Sequence, residues 1–142
     1  MAFAFDEAVK AFEADEVPVG AVLVDPSRGR FADHNRTREL KSPSAHAESL
    51  VIGAACGERG DWRLEDCTLY TTLEPCLMCA GLAVIARIPR IVFGARDMRF
   101  GAFGSVTDVL DMPGLNHYPE VVADFMPELS ADLLKEFFRK HR

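Results

Sequence analysis

The segment Pro75-Cys76-Leu77-Met78-Cys79 sets the strictest condition on how this chain can fold. It follows a strand-like stretch and begins a predicted helix, and two cysteines three residues apart at a helix start lie on the same face. A helix N-terminus lowers the pKa of nearby thiols and favours the thiolate, which is the form that binds metal. Taken alone, the motif fits half of a structural zinc site, a redox dithiol or two packed cysteines.

A second motif, His46-Ala47-Glu48, lies at the start of another predicted helix. Alone, it fits an ordinary surface or core pair. Together with Cys76 and Cys79, His46 supplies the third ligand of a tetrahedral zinc site whose fourth position stays open to water. Zinc lowers the pKa of such a water toward neutrality. Glu48 is not needed as a ligand, and we predict that it is the catalytic residue that takes the proton and returns it to the substrate.

The two remaining cysteines, Cys56 and Cys67, are not expected to close the site. Cys56 ends the helix that His46 begins, about 15 Å away by helix rise, and Cys67 begins a strand. Both are predicted to be core residues. Because His and Cys ligands accept other metals, iron stays an alternative to zinc.

Helices alternate with apolar strands along the chain, which predicts one α/β layered domain, residues 1–142, with a mixed sheet. Ser42 or Ser44 is expected to cap the second helix and Ser130 the last one. The predicted helices cover residues 3–14, 45–56, 76–86 and 131–139, and the predicted strands cover residues 17–24, 30–34, 67–72, 88–94 and 120–125.

Composition narrows the possible partners. The net charge is −6, from 16 Lys and Arg against 22 Asp and Glu, so any surface for nucleic acid has to be local. Candidate basic groups are residues 135–142 and the arginines at positions 87, 90, 96 and 99. No run of roughly 18 apolar residues indicates a membrane span, and the acidic N-terminus is unlike a signal peptide. We therefore expect a cytoplasmic protein with no membrane partner.

His-x-Glu followed by Pro-Cys-x-x-Cys is the signature of the zinc-dependent deaminases. The chain resembles more closely the bacterial tRNA adenosine deaminases, from about residue 7 to residue 139. Many base deaminases share the two metal-binding motifs, whereas residues 94–97, 101–105 and 116–117 are more specific to the tRNA branch. The resemblance is carried by residues 16–22, 35–36, 45–48, 72–81, 87–88, 92–97, 101–105, 115–117 and 137–139.

The resemblance implies a three-layer α/β/α cytidine deaminase-like fold with a mixed five-stranded sheet. It implies Zn²⁺ on His46, Cys76 and Cys79, with Glu48 catalytic, and hydrolysis of the wobble adenosine of a tRNA to inosine. It also implies a homodimer with the active site near the subunit interface. The substrate contacts implied by matching positions, to the base, the sugar-phosphate or the anticodon loop, are Asn35, the backbone of Ala47, Asp97, Asn116, His117, Phe138 and Arg139.

Some positions depart from the pattern of the resembled family. Ile85 stands where relatives often have a polar residue, commonly His, and Asp111-Met112 and Tyr118-Pro119 replace more basic or polar neighbours of the Asn-His element. These departures affect the RNA partner and leave the chemistry untouched, and two alternatives of different class stay open. One is a deaminase of a free base or small amino-heterocycle, such as guanine, cytosine or a modified pyrimidine. The other is a zinc-stabilised binding module without catalysis.

Overall fold

A computed structural model describes residues 1–142. Its helices and strands follow one another in the predicted order. The helices are α1 (Ala2–Glu13), α2 (Ala47–Arg59), α3 (Leu77–Ile85) and α4 (Pro127–Lys140). The strands are β1 (Gly20–Asp25), β2 (Gly29–His34), β3 (Thr68–Leu73), β4 (Arg90–Ala95) and β5 (Glu120–Val122), and a short 3-10 turn covers Val109–Asp111.

The five strands form one mixed sheet in the order β2-β1-β3-β4-β5. Strand β1 pairs antiparallel with β2 and β3, whereas β3, β4 and β5 run parallel to one another. A parallel pair needs a crossover connection, and α3 supplies it between β3 and β4. None of the four helices has the length and apolar character needed to cross a membrane.

Helices cover both faces of the sheet, so the three-layer α/β/α prediction is confirmed. Helices α1 and α4 pack against each other on one face, and α2 and α3 pack against each other on the opposite face. The main core lies between α2, α3 and the sheet. On the other face α1 lies so close to β1 that a Cβ on Gly20 would be 2.5 Å from the Ala8 nitrogen. Glycine at position 20 is therefore what lets α1 pack directly on the strand.

Strand β1 begins at Gly20 and not at Val17, so the strand predicted over residues 17–24 was too long at its start. Pro18 has no N–H to donate to a neighbouring strand. The Val19 N–H instead bonds to the Val17 carbonyl at 2.8 Å. Val17 and Val19 of this irregular segment line the cavity described below.

Two of the predicted helix caps were wrong. Helix α2 begins after His46, so neither Ser42 nor Ser44 is its N-cap. Helix α4 begins at Pro127, which places Ser130 inside the helix, where it is buried. Proline suits a first helical position because its φ is already helical and its missing N–H would be unpaired there.

Candidate metal centre and active site

A cavity of about 740 Å³ opens at the carboxyl ends of β3 and β4, where α3 begins beside the start of α2. Six segments of the chain form its walls: the segment before β1, the segment after β2, the start of α2, the end of β3 with its following loop, the end of β4 with its following loop, and the second half of α4. The parallel crossover puts the start of α3 at this edge of the sheet. The chemistry-bearing motifs of the sequence therefore converge here.

The three predicted metal ligands lie together in the structure. His46 immediately precedes α2, Cys76 immediately precedes α3, and Cys79 lies in the first turn of α3. His46 Nδ1 is 3.6 Å from Cys76 Sγ and 3.6 Å from Cys79 Sγ. Zinc bonds of ordinary length in a tetrahedron place nitrogen and sulfur ligands about 3.6 Å apart. The donor set and its spacing thus fit one zinc ion with an open fourth position.

Hydrogen bonds within this cluster already favour an ionised sulfur. A bond from the Cys79 thiol and a second from His46 lower the pKa of Cys76 to about 4. The bond to Cys76 raises the pKa of His46, and the bond to Cys76 together with burial raises the pKa of Cys79. Cys76 is therefore the sulfur that ionises more readily, and binding of a metal by both sulfurs releases protons.

The other two cysteines lie outside the cluster. Cys67 is fully buried, and burial raises the pKa of its thiol to about 12. Cys56 is half-buried and its pKa is likewise raised by burial. Cys67 belongs to the main core and Cys56 packs against it, so neither thiol lies where it could complete the cluster.

Two further groups of side chains have metal-ligand chemistry, but each already contains a cation. In the first, Lys10 Nζ lies 2.6 Å from Glu7, beside Asp33 and His34. In the second, which comprises Asp25, Asp66 and Cys67, Arg59 Nη2 lies 2.9 Å from Asp25 Oδ2. The cluster at His46 is thus the one of the three groups in which no member is paired with a lysine or arginine.

Glu48 lies in the first turn of α2, only 4% exposed, and lines the cavity beside His46. Burial is the main cause that raises the pKa of its carboxyl group, to about 7. A carboxyl group with this pKa can hold or release a proton near neutral pH. Its place beside the ligands suits a group that carries protons without binding the metal.

Asn35 and Ala47 are joined to each other in the structure. The Ala47 N–H donates to Asn35 Oδ1 at 2.9 Å, so this backbone N–H already has a partner. Asn35 also lines the cavity, and its amide N–H groups donate to no protein acceptor. The Asn35 amide therefore keeps two donors for a substrate, while its oxygen helps to hold the start of α2.

The remaining predicted contact residues divide into two groups. Asp97 and Phe138 line the cavity, and the exposed Arg139 lies next to it on α4, paired with Glu136. Asn116 and His117 lie at the opposite end of the sheet, because His117 Nε2 bonds to the Ile88 carbonyl at 2.7 Å, just before β4 begins. The structure thus does not bring Asn116 and His117 to the cavity of their own chain.

Glu74 is an organising residue that the sequence motifs did not single out. Its carboxylate is 1% exposed and accepts N–H bonds of 3.0 Å from Asp97, 3.0 Å from Phe103 and 3.1 Å from Ser105, and also the Ser105 hydroxyl. It therefore holds the loop that follows β4 against the Pro75-Cys76 segment. The detectable signal was an acidic residue directly between an apolar strand and Pro-Cys.

The chain is similar in sequence and structure to known deaminases. Residues 1–95 match the cytidine and deoxycytidylate deaminase zinc-binding region. A tRNA-specific adenosine deaminase of Aquifex aeolicus (strain VF5) is 46% identical over 140 residues, covering 98% of this chain and 91% of the relative. A solved structure from a study of A-to-I editing by tRNA:A34 deaminases at the wobble position superposes with a TM-score of 0.90 at 45% identity, covering 94% of this chain and 97% of that one. Guanine deaminase from Nitrosomonas europaea, at 23% identity and a TM-score of 0.80 over 96% and 81% of the two chains, shares the fold.

Proposed function

The chain belongs to the tRNA-specific adenosine deaminases, within the zinc-binding cytidine and deoxycytidylate deaminase family, and from this membership we propose that it converts the wobble adenosine of a tRNA to inosine. The enzyme is a zinc-dependent hydrolase that replaces an exocyclic amine by oxygen and releases ammonia. We propose that residues 1–142 act as a single deaminase domain. A tRNA substrate also favours a cytoplasmic enzyme.

The observation that carries this proposal is the convergence of His46, Cys76 and Cys79 beside Glu48 in one cavity. We propose that the first three hold the zinc ion. When bound, zinc supplies Lewis-acid chemistry at its open position. Glu48 then acts in two proton transfers: its buried carboxylate takes one proton from water and passes it to the ring nitrogen, and it afterwards takes the second water-derived proton and passes it to the leaving amine.

Substrate placement is assigned to the other residues of the cavity wall. The Asn35 amide donates hydrogen bonds to the edge of the base, and Asp97 lies by the sugar-phosphate next to the target. Phe138 on α4 forms the far wall, with Arg139 directed at the anticodon loop from the next position. The target base reaches these groups only if it is splayed out of the anticodon loop, which is how single-stranded RNA loops are usually read.

We propose that the enzyme is a homodimer. A second, apolar groove of about 560 Å³ runs between the loop before α2 and the outer sides of α2 and α3, and Ile85, which lies in it, is 66% exposed. Such an exposed apolar groove is typical of a protein interface. Its apolar lining residues are Leu40, Ala45, Leu50, Met78, Leu82 and Ile85. A second copy seated here would lie directly behind the metal ligands, since Met78 stands between Cys76 and Cys79.

The deciding experiment offers the purified enzyme an anticodon stem-loop with adenosine at the wobble position, alongside a panel of free bases and amino-heterocycles. We expect inosine and ammonia from the stem-loop, with activity that falls steeply as salt rises, because phosphate contacts release counterions. Turnover of free bases with no inosine in the RNA would replace this proposal by the free-base alternative. Zinc without any turnover would favour the binding module.

A further inference from the structure

An aromatic ring stands at the mouth of the cavity in a loop that the metal chemistry does not need. Phe100 follows β4, is 64% exposed, and lines the same cavity as Glu48. Across the mouth, Phe138 of α4 is 45% exposed and lines the cavity too. Two exposed phenyl rings at one opening form a surface suited to a flat, apolar partner.

The Phe100 ring is carried by an ordered turn. The N–H groups of Arg99 and Phe100 donate to Asp97 Oδ1 at 2.9 and 3.1 Å. The Asp97 N–H donates in turn to the buried Glu74 at 3.0 Å, and the Gly101 N–H donates to the Asp97 carbonyl at 2.9 Å. The backbone that carries the ring is therefore fixed before a ligand binds, which lowers the entropy cost of using Phe100 as a contact.

An unpaired positive charge accompanies the ring. The Arg99 guanidinium carbon lies 5.6 Å from the centroid of Phe100, and no carboxylate lies within ion-pair distance of Arg99. The other arginine that lines the cavity differs, because Arg96 pairs with Asp124 at 2.9 Å. Arg99 is thus the arginine at this opening that is free to meet a phosphate.

We infer that Phe100 stacks on a nucleobase directly adjacent to the target adenosine, while Arg99 contacts the phosphate beside it. This inference rests on the proposed RNA substrate. A target base that is splayed into the cavity leaves its neighbours with an uncovered face, and proteins meet such faces with aromatic rings flanked by arginine. Phe100 is then a residue that favours an RNA loop over a free base, because a free base has no neighbour to stack.

The test combines protein variants with substrate variants. Deamination rates are measured for wild type, Phe100→Ala and Phe100→Trp on an anticodon stem-loop, and on the same loop with an abasic site on the 5′ or the 3′ side of the target. Phe3→Ala is the matched control, since Phe3 is 50% exposed and carries Arg30 3.6 Å above its ring but does not line the cavity. Zinc content and the thermal unfolding midpoint are recorded for every variant.

We expect Phe100→Ala to lower kcat/KM by about tenfold on the complete loop, mainly through a higher KM, because one stacking contact is lost. One of the two abasic sites should lower kcat/KM of wild type by a similar factor. The same abasic site should lower kcat/KM of Phe100→Ala hardly at all, because the stacking contact is already lost. Phe100→Trp should keep the wild-type kcat/KM, because an indole ring can also stack on a base. Phe3→Ala should leave kcat/KM unchanged.

Two results would overturn the inference while leaving the proposed function intact. One is that each abasic site lowers kcat/KM by the same factor in Phe100→Ala as in wild type. The other is unchanged kcat/KM for Phe100→Ala on the complete loop. Wild type that fails to deaminate any stem-loop would instead contradict the proposed function, so the two failures are distinguishable.

Discussion

Glu74 and Gly101 meet so closely beside the metal ligands that no side chain fits between them. A Cβ built on Gly101 would lie 2.5 Å from Glu74 Cδ. The contact is fixed from both sides, since Glu74 is buried and hydrogen-bonded, and the Ala102 N–H donates to the Pro75 carbonyl at 2.9 Å. The loop after β4 and the start of α3 therefore form one interlocked unit.

Replacing Gly101 by alanine should break this unit. The new methyl group overlaps a buried carboxylate and cannot be relieved by turning an exposed side chain, so we expect a loss of about 3 kcal/mol in the free energy of unfolding, measured by urea denaturation. Gly53→Ala is the control, because nothing lies within 4 Å of its Cβ position on α2. It should gain about 0.5–1 kcal/mol from better helix propensity. Equal stability of both variants would contradict the packing argument.

Glu48→Gln should abolish most of the chemistry and leave the metal in place. The amide keeps the size of the side chain but cannot accept and return a proton, so we expect kcat to fall by about 10²–10⁴-fold. Zinc per chain, measured by atomic absorption, should equal that of wild type. A variant that kept wild-type turnover would remove Glu48 from its assigned role and revive the interpretation as a binding module.

Cys79→Ala should lose most of its zinc, because two ligands hold a tetrahedral ion poorly. Cys67→Ala is a matched control, since both thiols are fully buried and only Cys79 lies in the cluster. The Cys67→Ala protein should keep its full zinc content, although the substitution leaves a small void in the core. The measurement is zinc per chain after dialysis against a weak chelator. Equal zinc in the two variants would show that the ion is held elsewhere.

Ile85→Glu should separate the proposed dimer into monomers. The new carboxylate would have to be buried without a partner in an apolar groove, which we expect to weaken association by at least about 2 kcal/mol, or about 30-fold in the dissociation constant. Leu129→Glu is the control, because Leu129 is similarly exposed but lies on α4 in the opposite layer. Sedimentation velocity at several concentrations distinguishes the two. An unchanged dimer dissociation constant for Ile85→Glu would show that the interface lies on another surface.

Acid should weaken the fold partly through Asp25. Burial opposes ionisation of this carboxyl group, but bonds from the Ser27 N–H and from Arg59 outweigh burial and keep its pKa below the ordinary value. Since the folded pKa is the lower one, the stabilisation is complete above the unfolded pKa of about 3.9 and disappears as pH falls through the folded value. Asp25→Asn should therefore cost about 3 kcal/mol at pH 7, because Arg59 loses a buried partner.

Urea unfolding of wild type and Asp25→Asn between pH 7 and pH 3 tests this sign. The stability difference between the two proteins should shrink as the wild-type carboxylate is protonated, and metal loss affects both equally. Asp132→Asn, on the exposed side of α4, should stay within about 0.5 kcal/mol of wild type throughout. A difference that grew toward low pH would contradict the sign of the argument.

The parts of the molecule that depend on local spacing could be predicted from the sequence. Every helix and strand was predicted from the sequence, most of them from apolar runs, and the motifs with His46, Cys76 and Cys79 predicted the metal cluster. The order of the strands depends on pairing between distant segments, such as β1 between β2 and β3, which local patterns do not encode. For the same reason the sequence did not show that Phe100 and Leu134 reach one cavity.

The assigned substrate contacts stay predictions, and the residues concerned lie in two different places in the structure. Asn35 and Asp97 line the cavity, which agrees with their assigned places. Asn116 and His117 lie at the amino end of β4, and a sequence motif alone cannot tell which end of a sheet a loop will occupy. If these two residues meet RNA, they do so away from the cavity of their own chain.

The groups around the metal and the groups at the cavity mouth come from separate segments, since His46 and Cys76 precede α2 and α3 whereas Phe100 follows β4. The backbone of the loop after β4 is interlocked with the start of α3 through Asp97 and Gly101, whereas the side chains at 98–100 and 138 are exposed. Diversity confined to those side chains should therefore yield enzymes of altered selectivity whose reacting centre is inherited unchanged. The same separation allows descendants of one ancestral scaffold to acquire new substrates by drift in two short stretches of chain.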